Sequence, residues 1–146
     1  MIGSELMREV YYLNEEKLPT IPVPHDCAID KITLENDYII FTFEKDISYH
    51  DSVKHIKPDV RALVIKFHLV DEVFWLYRWH KPVKGIAENG FFENLDETEL
   101  FKLTKLCKKV EYCYHYVAYQ SIIIELYAET QVRLELTADY VEFDWK

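Results

Sequence analysis

Three consecutive residues, His25, Asp26 and Cys27, carry the groups that cysteine-dependent catalysis uses. A catalytic thiol needs a base within hydrogen-bond reach and a third group that orients the base. Adjacent residues of an extended chain point in opposite directions, so His25 and Cys27 would share a face while Asp26 points away. The triplet also fits a turn at Asp26, after which Cys27 opens a strand.

A polar stretch at residues 49–59 contains further groups that can titrate, among them His50, Asp51 and His55. On a helix, Asp51 and His55 would face each other because they are four residues apart, whereas His50 and His55 would not share a face. Together with the preceding triplet, these residues are the candidate polar site of a small-molecule or metal-dependent enzyme. The stretch is more typical of a solvated loop than of a metal site.

Cys107, Cys113 and His115 have the residue types of a zinc site. Structural zinc sites, however, usually contain more closely spaced cysteine pairs. Cys107 also falls on the apolar stripe of a predicted helix, where a small buried side chain is expected. We therefore favour core packing for this set, and we predict neither a metal nor a cofactor.

The aromatic residues, 15% of the chain, are the most unusual feature of the sequence. Alternate residues of a strand share a face, which predicts two aromatic strand faces. Such residues are enriched at protein-binding hot spots, and they also fit a core covered by the helix that begins at Asp96. The candidate interaction residues are Trp75, Tyr77 and Trp79 on a strand, with Phe91 and Phe92 in the loop predicted over residues 80–94. A later strand would add Tyr112, Tyr114 and Tyr116 on one face.

Composition limits the classes of function that the chain can have. It has 146 residues, the usual size of one domain, and we assign residues 1–146 to a single domain. The net charge of −9 disfavours binding to nucleic acids and anionic lipids and favours a basic protein partner. The three glycines form no nucleotide-binding loop, and the common hydrolase and metalloprotease motifs are absent.

The cysteines and the hydropathy pattern predict a cytoplasmic location. Three widely spaced cysteines do not resemble a disulfide framework, and free thiols persist in reducing compartments. The first ten residues lack the basic start and apolar run of a secretory signal. No segment approaches the roughly 20 apolar residues of a membrane-spanning helix, so no membrane association is expected.

Local patterns predict the order of the secondary structure elements. Residues 4–17 fit either a short helix or a strand, and residues 18–25 form a proline-rich surface connector. Glu35 to Asp37 predicts the turn of a first hairpin, and Asp71-Glu72 that of a second hairpin. Asp96 opens the best-defined helix, over about residues 96–109, with a capping-box pattern and one apolar stripe.

These elements predict an α+β fold that is mostly antiparallel sheet. We expect about 6–8 strands in hairpins or a meander, with the helix packed on one sheet face. For function, a non-catalytic protein-interaction domain with an acidic surface is the first hypothesis, and it resembles inhibitor or immunity proteins in composition only. The alternatives are an enzyme built on the polar site, or a structural subunit or homo-oligomer.

Overall fold

A computed structural model describes residues 7–146 and contains nine strands and two short helices, about 9% helix. The fold is α+β and mostly antiparallel sheet, as predicted. The strands are β1 (Met7–Tyr12), β2 (Ile29–Glu35), β3 (Tyr38–Phe43), β4 (Leu63–Leu69), β5 (Trp75–His80), β6 (Phe91–Leu95), β7 (Glu111–Ala118), β8 (Ser121–Tyr127) and β9 (Gln131–Trp145). The helices are α1 (Asp51–Lys54) and α2 (Thr98–Leu106).

Strand β9 organises the sheet because each of its ends belongs to a different half. Its C-terminal part pairs with β4 and β1, and β3 and β2 continue this first half-sheet beyond β4. Its N-terminal part pairs with β8 and β5, and β7 and β6 complete the second half-sheet. The sheet is open, but the starts of β2 and β7 are joined by the bridge between Ala28 and Glu111.

A bulge at Asp139 connects the two parts of β9. His68 of β4 pairs with Tyr140, but the next residue, Leu69, pairs with Ala138, so Asp139 is an extra residue. An extra residue reverses which side chains face the core. The core-facing residues of β9 are accordingly Val132, Leu134, Leu136 and Ala138 before the bulge, and Val141, Phe143 and Trp145 after it.

The second predicted hairpin is wrong. Strands β4 and β5 do not pair with each other; both run antiparallel to β9, one after the other along the same flank. Residues 70–74 therefore form an interruption between two strands that pair with successive parts of β9. The first hairpin is confirmed, with β2 paired to β3 and Asn36 in the left-handed conformation at φ 54°.

The N-terminal segment is a strand in its described part, since β1 pairs with β9 from Met7 to Tyr12. The start of the segment predicted over residues 4–17, including Ser4 as the possible cap of the helical alternative, lies outside the described residues. Glu9 anchors β1: its carboxylate accepts hydrogen bonds from Trp145 Nε1 at 2.7 Å and Lys57 Nζ at 2.9 Å. Burial alone would raise the pKa of Glu9, but these donors and the Tyr11 hydroxyl together lower it.

Helix α2 is confirmed but shorter than predicted, because the backbone becomes extended at Cys107. Asp96 Oδ1 accepts hydrogen bonds from the backbone N–H and hydroxyl of Thr98, both at 2.9 Å, which stabilises the start of the helix. The helix lies beside β2 and buries Leu100 and Leu103 in the core. It is therefore packed on the interior side of the sheet, away from the outer face of β5.

We expect deletion of Asp139 to unfold the protein. Without the extra residue, Val141, Phe143 and Trp145 would turn away from the core, and burial of each contributes about 1.5–3 kcal/mol. The measurement is urea unfolding followed by circular dichroism. The matched control, Asp139→Ala, keeps the residue count and loses only a partly exposed ion pair, so it should cost about 1 kcal/mol or less. A deletion variant as stable as this control would contradict the role of the bulge.

Candidate functional site

Of the predicted polar-site residues, His50 lies beside a carboxylate that the sequence did not indicate. Glu44, directly after β3, accepts hydrogen bonds from Ala28 N at 2.9 Å and from the Tyr49 hydroxyl at 2.7 Å. His50 Nε2 lies 3.2 Å from the same carboxylate. Burial would raise the pKa of Glu44, but the hydrogen bonds outweigh burial and lower it. A carboxylate held by three donors links the loop to the sheet and is poorly suited to act as a base.

The three residues of the predicted catalytic triplet have separate environments. His25 Nδ1 donates a hydrogen bond to the Cys113 carbonyl at 2.6 Å, and its Nε2 lies 3.3 Å from Asp26 Oδ1. Asp26 has a φ of 70° in a turn, as the second interpretation of the triplet predicted. Cys27 is completely buried, and burial raises the pKa of its thiol to about 12. Cys27 is therefore a protonated core residue at neutral pH.

The remaining polar candidates are positioned by the short helix α1. Asp51 begins this helix, and His50 precedes it as the N-cap residue. The backbone N–H of His55 donates a hydrogen bond of 3.4 Å to the Asp51 carbonyl. In the described chain, the two side chains form no hydrogen bond or ion pair with each other. Ser52 Oγ donates to the His25 carbonyl at 2.8 Å, which fixes the helix against the turn at Asp26.

His115 belongs to a buried hydrogen-bond chain. Its Nε2–H donates to the Ile21 carbonyl at 3.1 Å, so its Nδ1 accepts from the Tyr112 hydroxyl at 2.6 Å. The neutral imidazole is thus fully satisfied, and it attaches the proline-rich connector to β7. Burial lowers the pKa of His115. Among residues 7–146, no three His, Cys, Asp or Glu side chains converge as a metal site.

The tyrosines of β7 do not share one face as predicted. The pairing with β8 shifts between Tyr112 and Tyr114, so Cys113 is the extra residue of a second bulge. Tyr112 is fully buried beside Phe41 and Phe43, whereas Tyr114 and Tyr116 are about half exposed on the outer face. A bulge of this kind has no clear signature in the sequence.

The outer face of the second half-sheet collects six aromatic side chains, which we call the aromatic face. The strand registers place them in one continuous surface over β7, β8, β9, β5 and β6. Helix α2 does not cover this surface, since Trp75 is 50%, Tyr116 55% and Phe92 39% exposed. The aromatic face consists of Trp75, Tyr77, Trp79, Phe92, Tyr114 and Tyr116.

An ion pair crosses the centre of the aromatic face. Arg133 Nε lies 2.9 Å from Glu125 Oε1, and Gln131 Nε2 donates to the other oxygen of Glu125 at 2.9 Å. The guanidinium carbon of Arg133 is 5.3 Å from the ring centre of Phe92, a cation–π contact. The charges of Arg133 and Glu125 are thereby satisfied within the chain, and the face is apolar with a polar centre.

Phe91, the fifth predicted interaction residue, lies on the opposite side of β6. It pairs with His80, and the two rings stack at 4.7 Å. Trp79 and Phe92 meet across the strands with ring centres 5.1 Å apart. Gly90 makes room for Trp79, because a Cβ there would lie 2.4 Å from the indole ring.

A further polar cluster, which we call the His68 cluster, lies on the outer face of the first half-sheet. His68 Nδ1 and Asp139 Oδ1 are 2.6 Å apart, and the His68 ring stacks on Tyr140 at 4.6 Å. The hydroxyls of Tyr140 and Tyr38 are in contact. Pairing across β3, β4 and β9 brings these residues together, and no local motif indicates it.

Searches against models of protein families, curated proteins and solved structures give no match. In the described residues, neither helix is long and apolar enough to cross a membrane.

We expect acid to destabilise the protein through His115. Its pKa is lowered in the folded state from about 6.5, so the unfolded chain binds more protons between these two values. The stabilisation is complete above about pH 6.5 and is lost as the pH falls toward the folded-state pKa. Urea unfolding at about pH 8 and pH 5 should show a smaller decrease for His115→Gln, which cannot titrate. Equal decreases in both proteins would contradict this assignment.

We expect Gly90→Ala to be more destabilising than Gly85→Ala. Both glycines have positive φ, 75° and 81°, so each substitution incurs a backbone cost of about 1–2 kcal/mol. Only at Gly90 does the added Cβ collide with Trp79, which should cost about 1–3 kcal/mol more. Thermal unfolding measures the difference, and tryptophan fluorescence should change only in Gly90→Ala. Similar losses at both positions would mean that Trp79 moves freely.

Proposed function

We propose that this protein is a non-catalytic interaction domain that binds a basic protein through the aromatic face. The observation that carries the proposal is the exposure of this face, with Trp75 and Tyr114 each 50% exposed. Large apolar patches on a protein surface mark interaction sites. Trp and Tyr are also enriched at binding hot spots, because they bury a large area and keep a polar group.

Charge supports a basic partner. The chain carries a net charge of −9, and the one arginine of the aromatic face is already neutralised by Glu125. Next to the face, residues 85–101 contain five carboxylates and no Lys, Arg or His. A surface of this kind accelerates encounter with a positively charged protein.

A cleft beside the start of α2 also combines apolar and acidic walls. It has a volume of about 510 Å³ and lies between the β2–β3 turn, the end of β4 and the start of α2. Its walls combine Leu34 and Leu69 with the carboxylates of Asp37, Glu72 and Glu97. Glu97 also lines the neighbouring cleft that contains Trp75. The apolar surface and the acidic surface are therefore adjacent, as a basic amphipathic partner requires.

The polar site gives less support to an enzyme. The Cys27 thiol is buried and protonated, and Glu44 is occupied by donors from the chain itself. These contacts stabilise the end of the first hairpin, which is a structural role. The three free cysteines fit a reducing compartment such as the cytoplasm.

Replacing Trp75 and Phe92 by alanine tests the proposal. Each is a large exposed side chain, and loss of a hot-spot residue costs at least about 2 kcal/mol of binding. We expect the double variant to lose at least about tenfold in the amount of a basic protein captured from a lysate of the native source. Quantitative mass spectrometry measures the capture. At about 0.5 M salt, capture by the wild-type chain should also decrease, because salt screens the charges.

Tyr12→Ala is the matched control. Tyr12 is 48% exposed but belongs to the first half-sheet, so its replacement should leave capture unchanged. Equal capture by the double variant and the wild type would contradict the proposal. A concentration-dependent dimer that the double variant abolishes, without a captured partner, would instead assign the aromatic face to self-association.

A further inference from the structure

The two edges of the second half-sheet differ in how they are protected. At β7, the start of the strand bonds to the segment before β2, through Tyr112 N to Cys27 O at 3.0 Å. Farther along β7, connector residues 19–21 and 23 line a shared cleft with residues 114–117. At the other edge, β6 pairs with β5 and with no other strand in the described part of the chain.

The direction of the free backbone groups of β6 follows from one hydrogen bond. The Trp79 carbonyl accepts from Thr130 Oγ1 at 2.9 Å, so Trp79 directs its backbone groups toward β9 and away from β6. In an antiparallel ladder, hydrogen-bonded and non-hydrogen-bonded pairs alternate. The pairs Trp79–Phe92 and Tyr77–Asn94 are therefore non-hydrogen-bonded. The backbone N–H and C=O groups of Phe92 and Asn94 consequently point outward, to the open edge.

Natural proteins usually protect such an edge with lysine, proline or a bulge. Strand β6, with the sequence FFENL, contains no lysine, proline or bulge, and its pairing with β5 is regular from Phe91 to Leu95. Its one charged residue, Glu93, disfavours an acidic added strand but not a basic one. Phe91 is 44% and Phe92 39% exposed, on opposite sides of the strand. The edge thus offers two backbone hydrogen-bonding positions flanked by apolar side chains.

From this geometry we infer that β6 accepts an extended basic segment of the partner protein as an additional strand of the second half-sheet. The inference rests on the proposed function and names the mode of binding. Main-chain hydrogen bonds to Phe92 and Asn94 give affinity, and side-chain contacts give specificity. Side chains of the added strand that lie opposite Phe92 and Asn94 extend the aromatic face. Side chains opposite Phe91 and Glu93 lie on the other side of the sheet.

Charge determines the chemistry of the added strand. Glu93 has a side chain that is 51% exposed, and its only ion pair among the described residues is with His80 at 3.0 Å. Residues 88–99 include four further carboxylates and no basic residue. A lysine or arginine opposite Glu93 is favoured, since opposite charges stabilise a cross-strand pair. The fitting segment alternates β-branched or aromatic residues with basic ones.

Asn94→Pro tests the inference at the backbone. Proline removes the outward N–H of Asn94, which the fold does not use, and proline is tolerated on edge strands in this orientation. The probe is a phage-displayed library of random peptides of about 12 residues, selected on the full chain at low salt. We expect enrichment of alternating apolar and basic sequences, and at least tenfold weaker binding of the selected peptides to Asn94→Pro.

Asn94→Ala is the control, because it removes the same side chain and keeps the N–H. Selected peptides should bind it within about twofold of wild type. Peptides that bind Asn94→Pro as tightly as wild type, or that lose affinity equally for Asn94→Ala, would overturn strand addition, as would a selection without enrichment. If such peptides still require Trp75 and Phe92, the proposed function stands and only the mode of binding is wrong.

Amide hydrogen exchange of the wild-type chain provides a measurement that does not depend on the folding of a variant. Strand addition should slow exchange of the Phe92 and Asn94 amides at least tenfold on peptide binding. The amides of Phe91 and Glu93 already bond to β5 and should change less. Binding without protection of Phe92 and Asn94 would show that the peptide contacts side chains only.

Discussion

The extra residue at Asp139 is the constraint on which the rest of the architecture depends. It allows a single strand of 15 residues to direct even-numbered side chains inward in one half-sheet and odd-numbered ones in the other. The core can therefore be shared by two differently oriented halves without a chain break. Four strands, β1, β4, β5 and β8, pair directly with β9. The aromatic face and the His68 cluster are outward surfaces of the two halves that β9 joins.

Local patterns in the sequence predict several of the elements but not the strands with which each element pairs. The turn at Asn36 and helix α2 were found because turn and capping residues act on their own neighbours along the chain. At residues 70–74 the local pattern predicts a hairpin, because Asp71-Glu72 fits a turn as well as it fits the interruption found in the structure. Whether the chain reverses there depends on β9, which lies some 60 residues later in the sequence. Periodicity reports which side of a strand is apolar and gives no information on the pairing.

In the candidate sites as well, local patterns predict features within one strand, whereas contacts between distant segments are not predicted. The alternation of Trp75, Tyr77 and Trp79 correctly predicted a shared face, whereas Phe91 was separated from Phe92 because β6 is a strand and not a loop. Glu44 was missed, because its partners Ala28 and Tyr49 come from both sides of it in the chain. The bulges reverse the alternation without a residue type that identifies them. Contacts between strands determine which polar groups already have hydrogen-bond partners and which aromatic rings remain exposed.

The pairing of β1 with the end of β9 has a consequence for the time at which the protein can fold. Met7 lies opposite Trp145, and Tyr12 opposite Tyr140, so the first strand finds its partner only after nearly the whole sequence has been synthesised. At translation rates of about 5–20 residues per second, the aromatic strands spend several seconds outside the ribosome without their central neighbour. Such long-range pairing also makes folding slow. For that interval the apolar sides of these strands lack the partner that later buries them, and such exposed surface is prone to aggregation.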